Sequence, residues 1–286
     1  MEILQLLLYG IILGSILSLG AIGVSLTFGI LRFANFSHGD LMTIGAYVTL
    51  VVFGILKMPF WIGFIVALVV TAALAVLIDK LLYRNFRRSQ PIILLISSFG
   101  VALILRSLIQ LIWGPDNQVF EQGIQIAQKF AGLRIKPDQI TILVGTAVLV
   151  IALHLFLQKT KVGKAMRAVA DNAELARLTG IDTEKVIMWT WVMGGALAAA
   201  AGIFLGLDTR LFPEMGWNIL LPVFAAAILG GIGNPYGAVA GGIIIGITQE
   251  MSTLFLDPAY KPAIAFALMV VILIVRPTGI FAGRST

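Results

Sequence analysis

The sequence predicts an all-α, polytopic integral membrane protein with eight or nine transmembrane helices, some of them discontinuous. Three observations carry this. Of 286 residues, 59% are hydrophobic and 12% charged, against about 25% charged and roughly 45–50% apolar in soluble globular domains. The mean hydropathy is +1.00. Apolar runs of about 20 residues, the length that crosses ~30 Å of hydrocarbon, recur along nearly the whole chain.

The first run, Ile3–Leu31, has no Lys or Arg before Arg32 and far exceeds the ~7–15 residues of a signal-peptide core, so it reads as a span and not as a cleavable signal. At about 43 Å as a straight helix it must tilt, bend at Gly20 or Gly23, or protrude. His38–Leu56, Phe60–Ile78, Pro91–Trp113, Gln139–Leu157, Val186–Leu207 and Pro262–Val275 follow as further spans. Ile219–Thr248 is also apolar but holds Gly230, Gly231, Gly233, Asn234, Pro235 and Gly237 in its middle. It reads as one span plus a half, or two arms meeting at a break.

Orientation follows from Lys and Arg in short loops, which favour the cytoplasm. Segment 79–90 carries Lys80, Arg84, Arg87 and Arg88. Segment 158–185 carries Lys159, Lys161, Lys164, Arg167, Arg177 and Lys185, and the tail adds Arg276 and Arg284. These regions and the C-terminus are placed in the cytoplasm. Gly114–Asp138 and Asp208–Trp217, of mixed charge (Asp116, Glu121, Lys129, Arg134 and Lys136 in the first), fall outside, as does the N-terminus if Ile3–Leu31 crosses once. The net charge of +6 therefore reflects membrane orientation and not nucleic-acid binding. Four GxxxG pairs, Gly10/Gly14, Gly202/Gly206, Gly237/Gly241 and Gly242/Gly246, mark candidate helix contacts, because lipid gives helices no hydrophobic reason to associate and small residues let backbones approach.

Three segments need more than a hydropathy account. In Arg32–Asp40, Asn35, Ser37, His38 and Gly39 interrupt two apolar runs. Ser37 and Asp40 have the spacing of a helix capping box, so the segment is either a capped turn or a break lining a polar path, since irregular backbone at membrane depth must be buried in protein or face water. In 161–182, Ala165, Val169, Ala173 and Ala176 form a small apolar stripe at helical spacing. Arg167–Asp171 and Glu174–Arg177 have ion-pair spacing, Gly180 suits a left-handed helix end, and Asp182 suits the next helix start. Alanines anchor weakly in headgroups, which favours docking into a groove of another protein. In Leu229–Gly242, Gly231, Gly233 and Pro235 demand a tight hairpin or a discontinuous helix of the kind transporters place near binding sites.

Absences narrow the function. With no cysteine, disulfides, thiolate metal sites and thiol catalysis are excluded, and the lone His38 and distant His154 do not make a metal site. There is no GxxxxGK[ST], HExxH or GxSxG. Arg106 lies near the outer end of its span, where it could snorkel, and Asp40 and Glu250 sit at span edges, so an ion-coupled carrier lacks its intramembrane carboxylate.

The stretches GILRFANFSHGDLMTIGAY, GKAMRAVADNAELARLTGID and ILGGIGNPYGAVAGGIIIG resemble, in order and over nearly the whole chain, the permeases of bacterial ABC importers for branched-chain and other hydrophobic amino acids, in particular the "H"-type subunit. The resemblance implies one transmembrane permease domain over 1–286, with a cytoplasmic coupling helix in loop 158–185, an extracytoplasmic loop at 114–138 and residence in the inner membrane. It implies a second, usually non-identical permease subunit, two ATP-binding subunits that bring ATP and Mg, and an extracytoplasmic substrate-binding protein. The chain itself would bind no cofactor and be no enzyme. Gly163, Arg167, Ala170, Asp171, Asn172, Glu174, Ala176 and Gly180 are then the expected coupling residues. Asn35, Ser37, His38, Gly39, Gly231 and Gly233 are the candidates for the path. Glu174, Ala176 and Gly180 match the EAAxxxG signature of many ABC permeases, but Leu175 replaces its first Ala, and Thr190-Trp191-Val192-Met193 stands where IxLP often follows. Permeases for urea and short amides share these motifs and remain an alternative cargo class, and an ion-coupled amino-acid carrier remains a more distant one.

Overall fold

The computed structural model describes residues 2–87, 89–120, 127–130, 132–276 and 278–281. Arg88, Glu121 and Arg284, which entered the charge count above, lie outside them, and of Lys129 only the backbone is described. Among the described residues seven helices are long and apolar enough to cross a membrane. They are α1 (Glu2–Leu31), α2 (Ser37–Thr49, prolonged by a π turn to Ile55), α3 (Phe60–Ile78), α5 (Pro91–Trp113), α6 (Pro137–Lys159), α9 (Thr183–Asp208) and, with a preceding 3-10 turn at Pro258–Tyr260, α12 (Lys261–Val275). Two short helices, α7 (Lys161–Asp171) and α8 (Ala173–Leu178), connect α6 to α9. The broken apolar stretch forms two arms, the shorter α10 (Met215–Gly230) and α11 (Pro235–Ser252).

The predicted spans end within a few residues of these helix boundaries. Past Ile78 the chain stays helical, because a π turn at Asp79–Tyr83 and the one-turn α4 (Arg84–Phe86) carry α3 on into the basic segment. Hydropathy marks where apolar residues stop, not where hydrogen bonding stops. Loop 114–138 contains a two-stranded hairpin, β1 (Gln128–Phe130) against β2 (Leu133–Ile135).

α1 runs unbroken, so neither Gly20 nor Gly23 interrupts it. It is apolar on every face, the pattern of a helix enclosed by others, and almost every residue from Ile12 to Thr27 is buried. α11 lies antiparallel along it. A methyl added at Gly10 would fall 2.6 Å from Ile247 Cα, and one at Gly14 would fall 2.7 Å from Ile243 Cα. Further along, the Ser18 hydroxyl donates to the Val239 carbonyl (2.9 Å), and the Gly233 N–H donates to Ser25 Oγ (3.0 Å). α11 and the turn before it therefore run beside α1 from about Gly10 to Ser25. With α10 beside them, nine helices make up the bundle among the described residues. α9 forms the second inner column. Gly202 sits on the Met42 carbonyl of α2, Gly195 on Ala72 of α3, and Gly45 of α2 on Ala199. All four GxxxG pairs predicted as contacts sit at close approaches, Gly237 and Gly241 against Gly230 and Ala226 of α10, and Gly206 against Phe120.

The two ends of the bundle differ. At one end Gln5 exchanges hydrogen bonds with the Arg134 backbone (2.8 and 2.9 Å), and Gln118 bridges to Leu211. At the other, Arg32 reaches the Ala170 carbonyl (2.9 Å), and Asn234 reaches the Phe281 carbonyl (3.0 Å). α1 runs as one helix between these two ends, and its N-terminal end shares a face with loop 114–138.

Replacing Gly202 by Val should overpack the α2–α9 contact and cost about 1–3 kcal/mol or more. Gly100→Ala, where nothing lies within 4 Å, should be neutral or stabilising. A thermal melt of the detergent-solubilised protein compares the two.

Candidate functional site

The polar segment after α1 forms a buried knot. The chain leaves α1 at Arg32 in the left-handed region (φ 58°) and re-enters helix at Ser37. Asn35 Oδ1 accepts from the Ser37 N–H (3.1 Å) and hydroxyl (2.7 Å), and the Tyr83 hydroxyl lies 3.0 Å from Ser37 Oγ. Phe33, Tyr83 and Trp191 pack face and edge around this trio. Ser37 is thus the first residue of α2 and not its cap, Phe36 holds the cap position without a side-chain hydrogen bond, and the expected capping box does not form. His38, Gly39 and Gly231 are also enclosed, and Gly233 is half-buried. His38 presses on Gly23, where an added methyl would sit 2.6 Å from its Cε1. Its Nε2 has no partner among the described residues. Gly39 packs on Gly216 at the start of α10, whose N–H donates to Thr43 Oγ1 (3.1 Å). Gly231 and Gly233 (φ 99° and 88°) make the tight turn between α10 and α11, where only glycine adopts the backbone without strain. That turn lies at the end of the bundle beside Gly29, not at mid-depth.

Asp40 and Arg106 carry roles that reading the sequence span by span missed. Arg106 does not snorkel. Its Nε and Nη2 donate to the two oxygens of Asp40 at 3.1 and 3.2 Å, and its guanidinium lies 4.6 Å from the Trp217 ring centre. Asp40 is fully enclosed, and the Arg106 side chain is 14% exposed. The available signal was that two opposite charges lie within apolar runs, where each needs a partner. Glu250 likewise pairs with Lys261 (2.6 Å).

At the opposite end from the β-hairpin, Gly163 lets α7 fold back onto α6, since an added methyl there would overlap the Phe156 and Leu157 backbone, while Thr160 Oγ1 caps α7 by accepting from the Gly163 N–H (2.9 Å). The helix then breaks. Asn172 is extended (φ −153°) and caps α8 by accepting from the Leu175 N–H (2.9 Å). This break corrects the single apolar stripe. Val169 and Ala176 face into the chain's own bundle, and Ala176 is 4% exposed, so the stripe is not free for another protein. Arg167 donates to Gln158 Oε1 (2.8 Å) and Arg177 to Thr183 Oγ1 (3.3 Å), in place of the expected pairs with Asp171 and Glu174. Outward-facing instead are Lys164, Asp171, Asn172, Glu174, Gly180 and two leucines, Leu175 at 58% and Leu178 at 85% exposure. Gly180 (φ 88°) closes α8, and Asp182 caps α9 by accepting from the Glu184 and Lys185 N–H groups (3.1 and 3.2 Å), both as the sequence predicts. The Lys185 backbone N–H and ammonium hold the Asp182 carboxyl below the ordinary carboxylate range. Its contribution is therefore present above that range and lost as pH falls through the depressed value. Arg87 ties the α3–α4 extension to this region, bonded to buried Asp79 and to both oxygens of Glu184 at 2.8 and 2.9 Å.

The family described as branched-chain amino acid transport system, permease component, matches residues 6–273. The chain belongs to this family. It is 35% identical to the high-affinity branched-chain amino acid transport system permease protein LivH of Escherichia coli K12, over 97% of this chain and 94% of that one. It is 32% identical to the corresponding BraD of Pseudomonas aeruginosa over 97% and 95%. The fold is similar to that of a chain in a solved complex of PsaBC from Streptococcus pneumoniae with a Fab, with a TM-score of 0.52 at 15% identity, covering 97% and 93%. The protein is thus a multi-pass membrane permease component that works with partner subunits.

Removing one member of a buried ion pair strands the other, at about 3–5 kcal/mol. Asp40→Asn and Arg106→Gln should each lower the melting temperature of the solubilised protein. The double variant should lose less than the two single losses combined, and strict additivity would count against the pair.

Proposed function

We propose that this chain is the membrane-spanning half-channel of an ATP-driven ABC importer for branched-chain or similar neutral amino acids, residing in the bacterial inner membrane. The family membership and the relatives' high-affinity branched-chain amino acid transport carry this proposal. In it the whole chain acts as one permease domain, pairs with a second permease subunit, receives cargo from an extracytoplasmic binding protein, and rests on two ATP-binding subunits that supply ATP and Mg. It hydrolyses nothing itself. The basic face with α7 and α8 lies in the cytoplasm with the C-terminus, and loop 114–138 and the N-terminus lie outside.

The single observation that favours coupling at α8 is its pair of exposed leucines beside exposed Asn172, Glu174 and Gly180. A short amphipathic helix with apolar residues turned outward fits a groove on a partner. Of the eight expected coupling residues, Gly163 and Ala176 then act from inside, by seating α7 and α8 on the bundle, and Arg167, Ala170, Asp171, Asn172, Glu174 and Gly180 surround the contact. Motion of α8 passes through Gly180 and the Asp182 cap into α9, and through Glu184–Arg87 into α3.

Reconstitution of the complete importer in proteoliposomes tests this. Leu178→Arg should leave the permease inserted and melting normally while uncoupling cargo-stimulated ATP hydrolysis and abolishing uptake. Ala176→Arg should instead destabilise the subunit. ATP-dependent leucine uptake unaffected by Leu178→Arg would remove α8 from the interface, and leucine uptake by the chain alone, without ATPase subunits, would remove the importer assignment.

A further inference from the structure

We propose that the groove between α5 and α10, floored by the start of α2, is where this subunit touches its cargo. In it the unused N–H donors of Arg106 take the amino acid's carboxylate and the surrounding rings take its apolar side chain. The proposal rests on the amino-acid importer assignment above.

α5 and α10 both lie against α2, and they meet each other through side chains. Phe36 at the head of α2 sits 6.4 Å from Phe99, 6.3 Å from Trp217 and 5.5 Å from Phe224, centre to centre, and Phe99 and Trp217 are 5.5 Å apart. Phe99 is exposed, and the other three rings are half-buried. Arg106 enters this aromatic wall from α5, beside Trp217. Only its Nε and Nη2 are engaged by Asp40. Among the described residues Nη1 bonds nothing, and the side chain keeps some exposure while Asp40 has none. On the α10 wall, Asn218 follows Trp217 directly and is exposed, with no hydrogen bond from its side-chain amide among the described residues. Pro222, four residues on, lies inside the helix and has no N–H to offer the Asn218 carbonyl.

These groups do not suit lipid. Arg106 is the sixteenth residue of a 23-residue helix, about 10 Å short of its Trp113 end, and a guanidinium with free donors or an unpartnered amide at that depth must face protein or water. The rest of the outer surface of α5 meets lipid's demands with Ile92, Ile96, Ile104 and Leu111. Nor does the groove suit tight contact with another helix, which in a membrane favours small residues that let backbones approach. A face of four packed rings carrying one cation, with Glu214 against Gln110 at its edge, differs from both. It supplies the three things a branched-chain zwitterion needs away from bulk water, namely donors for the carboxylate, acceptors at Asn218 for the ammonium, and an aromatic wall for the side chain.

The chain contains no cysteine, so single replacements report cleanly. In the complete importer in proteoliposomes, Asn218→Cys and Phe99→Cys should react with a membrane-impermeant methanethiosulfonate, Leu111→Cys should not, and leucine-loaded binding protein should slow the two reactions several-fold. No reaction in either groove variant would mean that lipid or the second permease fills the groove. Reaction indifferent to leucine would mean a wet groove without cargo. Either result overturns the proposal. A second measurement uses Trp217→Ala, with leucine and alanine each presented on the same binding protein at saturation. The leucine preference in uptake should fall about tenfold, whereas an equal loss for both cargoes would show a structural role only and overturn the assignment. Failure of the wild-type importer to take up leucine with ATP would sink the importer assignment, which the labelling pattern of the groove does not depend on.

Discussion

The structure depends on backbone meeting backbone at glycine. In lipid, apolar side chains gain nothing by leaving one hydrocarbon surface for another, so what holds the helices is dispersion across close contacts. α1 makes such a seam with α11 and the turn before it, from Gly10 to Gly29, and α9 makes a second one with α2 and α3 through Gly195 and Gly202. These two inner columns leave α5, α6 and α12 to cover the outside with exposed Ile, Leu, Val and Phe. They also fix the register of everything else, because a backbone contact tolerates no sliding by a residue.

On that frame the polar groups have few choices. Asn35 Oδ1, Ser37 and Tyr83 bond one another where α1 ends, which holds an irregular stretch inside the bundle, while the Asn35 amide nitrogen has no partner among the described residues. Asp79, Arg87 and Glu184 form a chain of ion pairs where α3 leaves the apolar layer and α9 begins. Arg106 is bonded to Asp40 through Nε and Nη2, and among the described residues its Nη1 bonds nothing. The Asn35 and Asp79 groups build turns and junctions of the fold, whereas Arg106 stands within a span with donors to spare.

Most of the architecture was legible in the sequence. Hydropathy located the seven long spans, because one rule, apolar length, governs them all, and it left α10 and α11 open between one span and a half and two arms. Gly180, Asp182 and the GxxxG pairs were legible because each answers a local requirement of φ, capping or close approach. The site was less so. The polarity of Asn35, Ser37 and His38 was visible, but whether a polar side chain faces a path or a neighbour depends on which helix lies opposite, and Tyr83 is 46 residues from Ser37. The same limit hid the pairing of Asp40 with Arg106. The apolar stripe of 161–176 failed for a different reason. Spacing cannot tell which body a stripe packs on: Val169 and Ala176 are spent on the chain's own bundle, and the extended backbone at Asn172 leaves Ala173 turned outward.

That elbow gives the two short helices separate mountings. α7 is clamped to α6 by the contact at Gly163, while α8 hangs from α9 by a glycine hinge and a carboxylate clasp. α7 is held further by Arg32, just past α1, through the Ala170 carbonyl, whereas α8 ends on a free-turning glycine. The elbow thus leaves α8 a joint at each end, and an unbroken helix in its place could turn only by lifting α7 from the bundle.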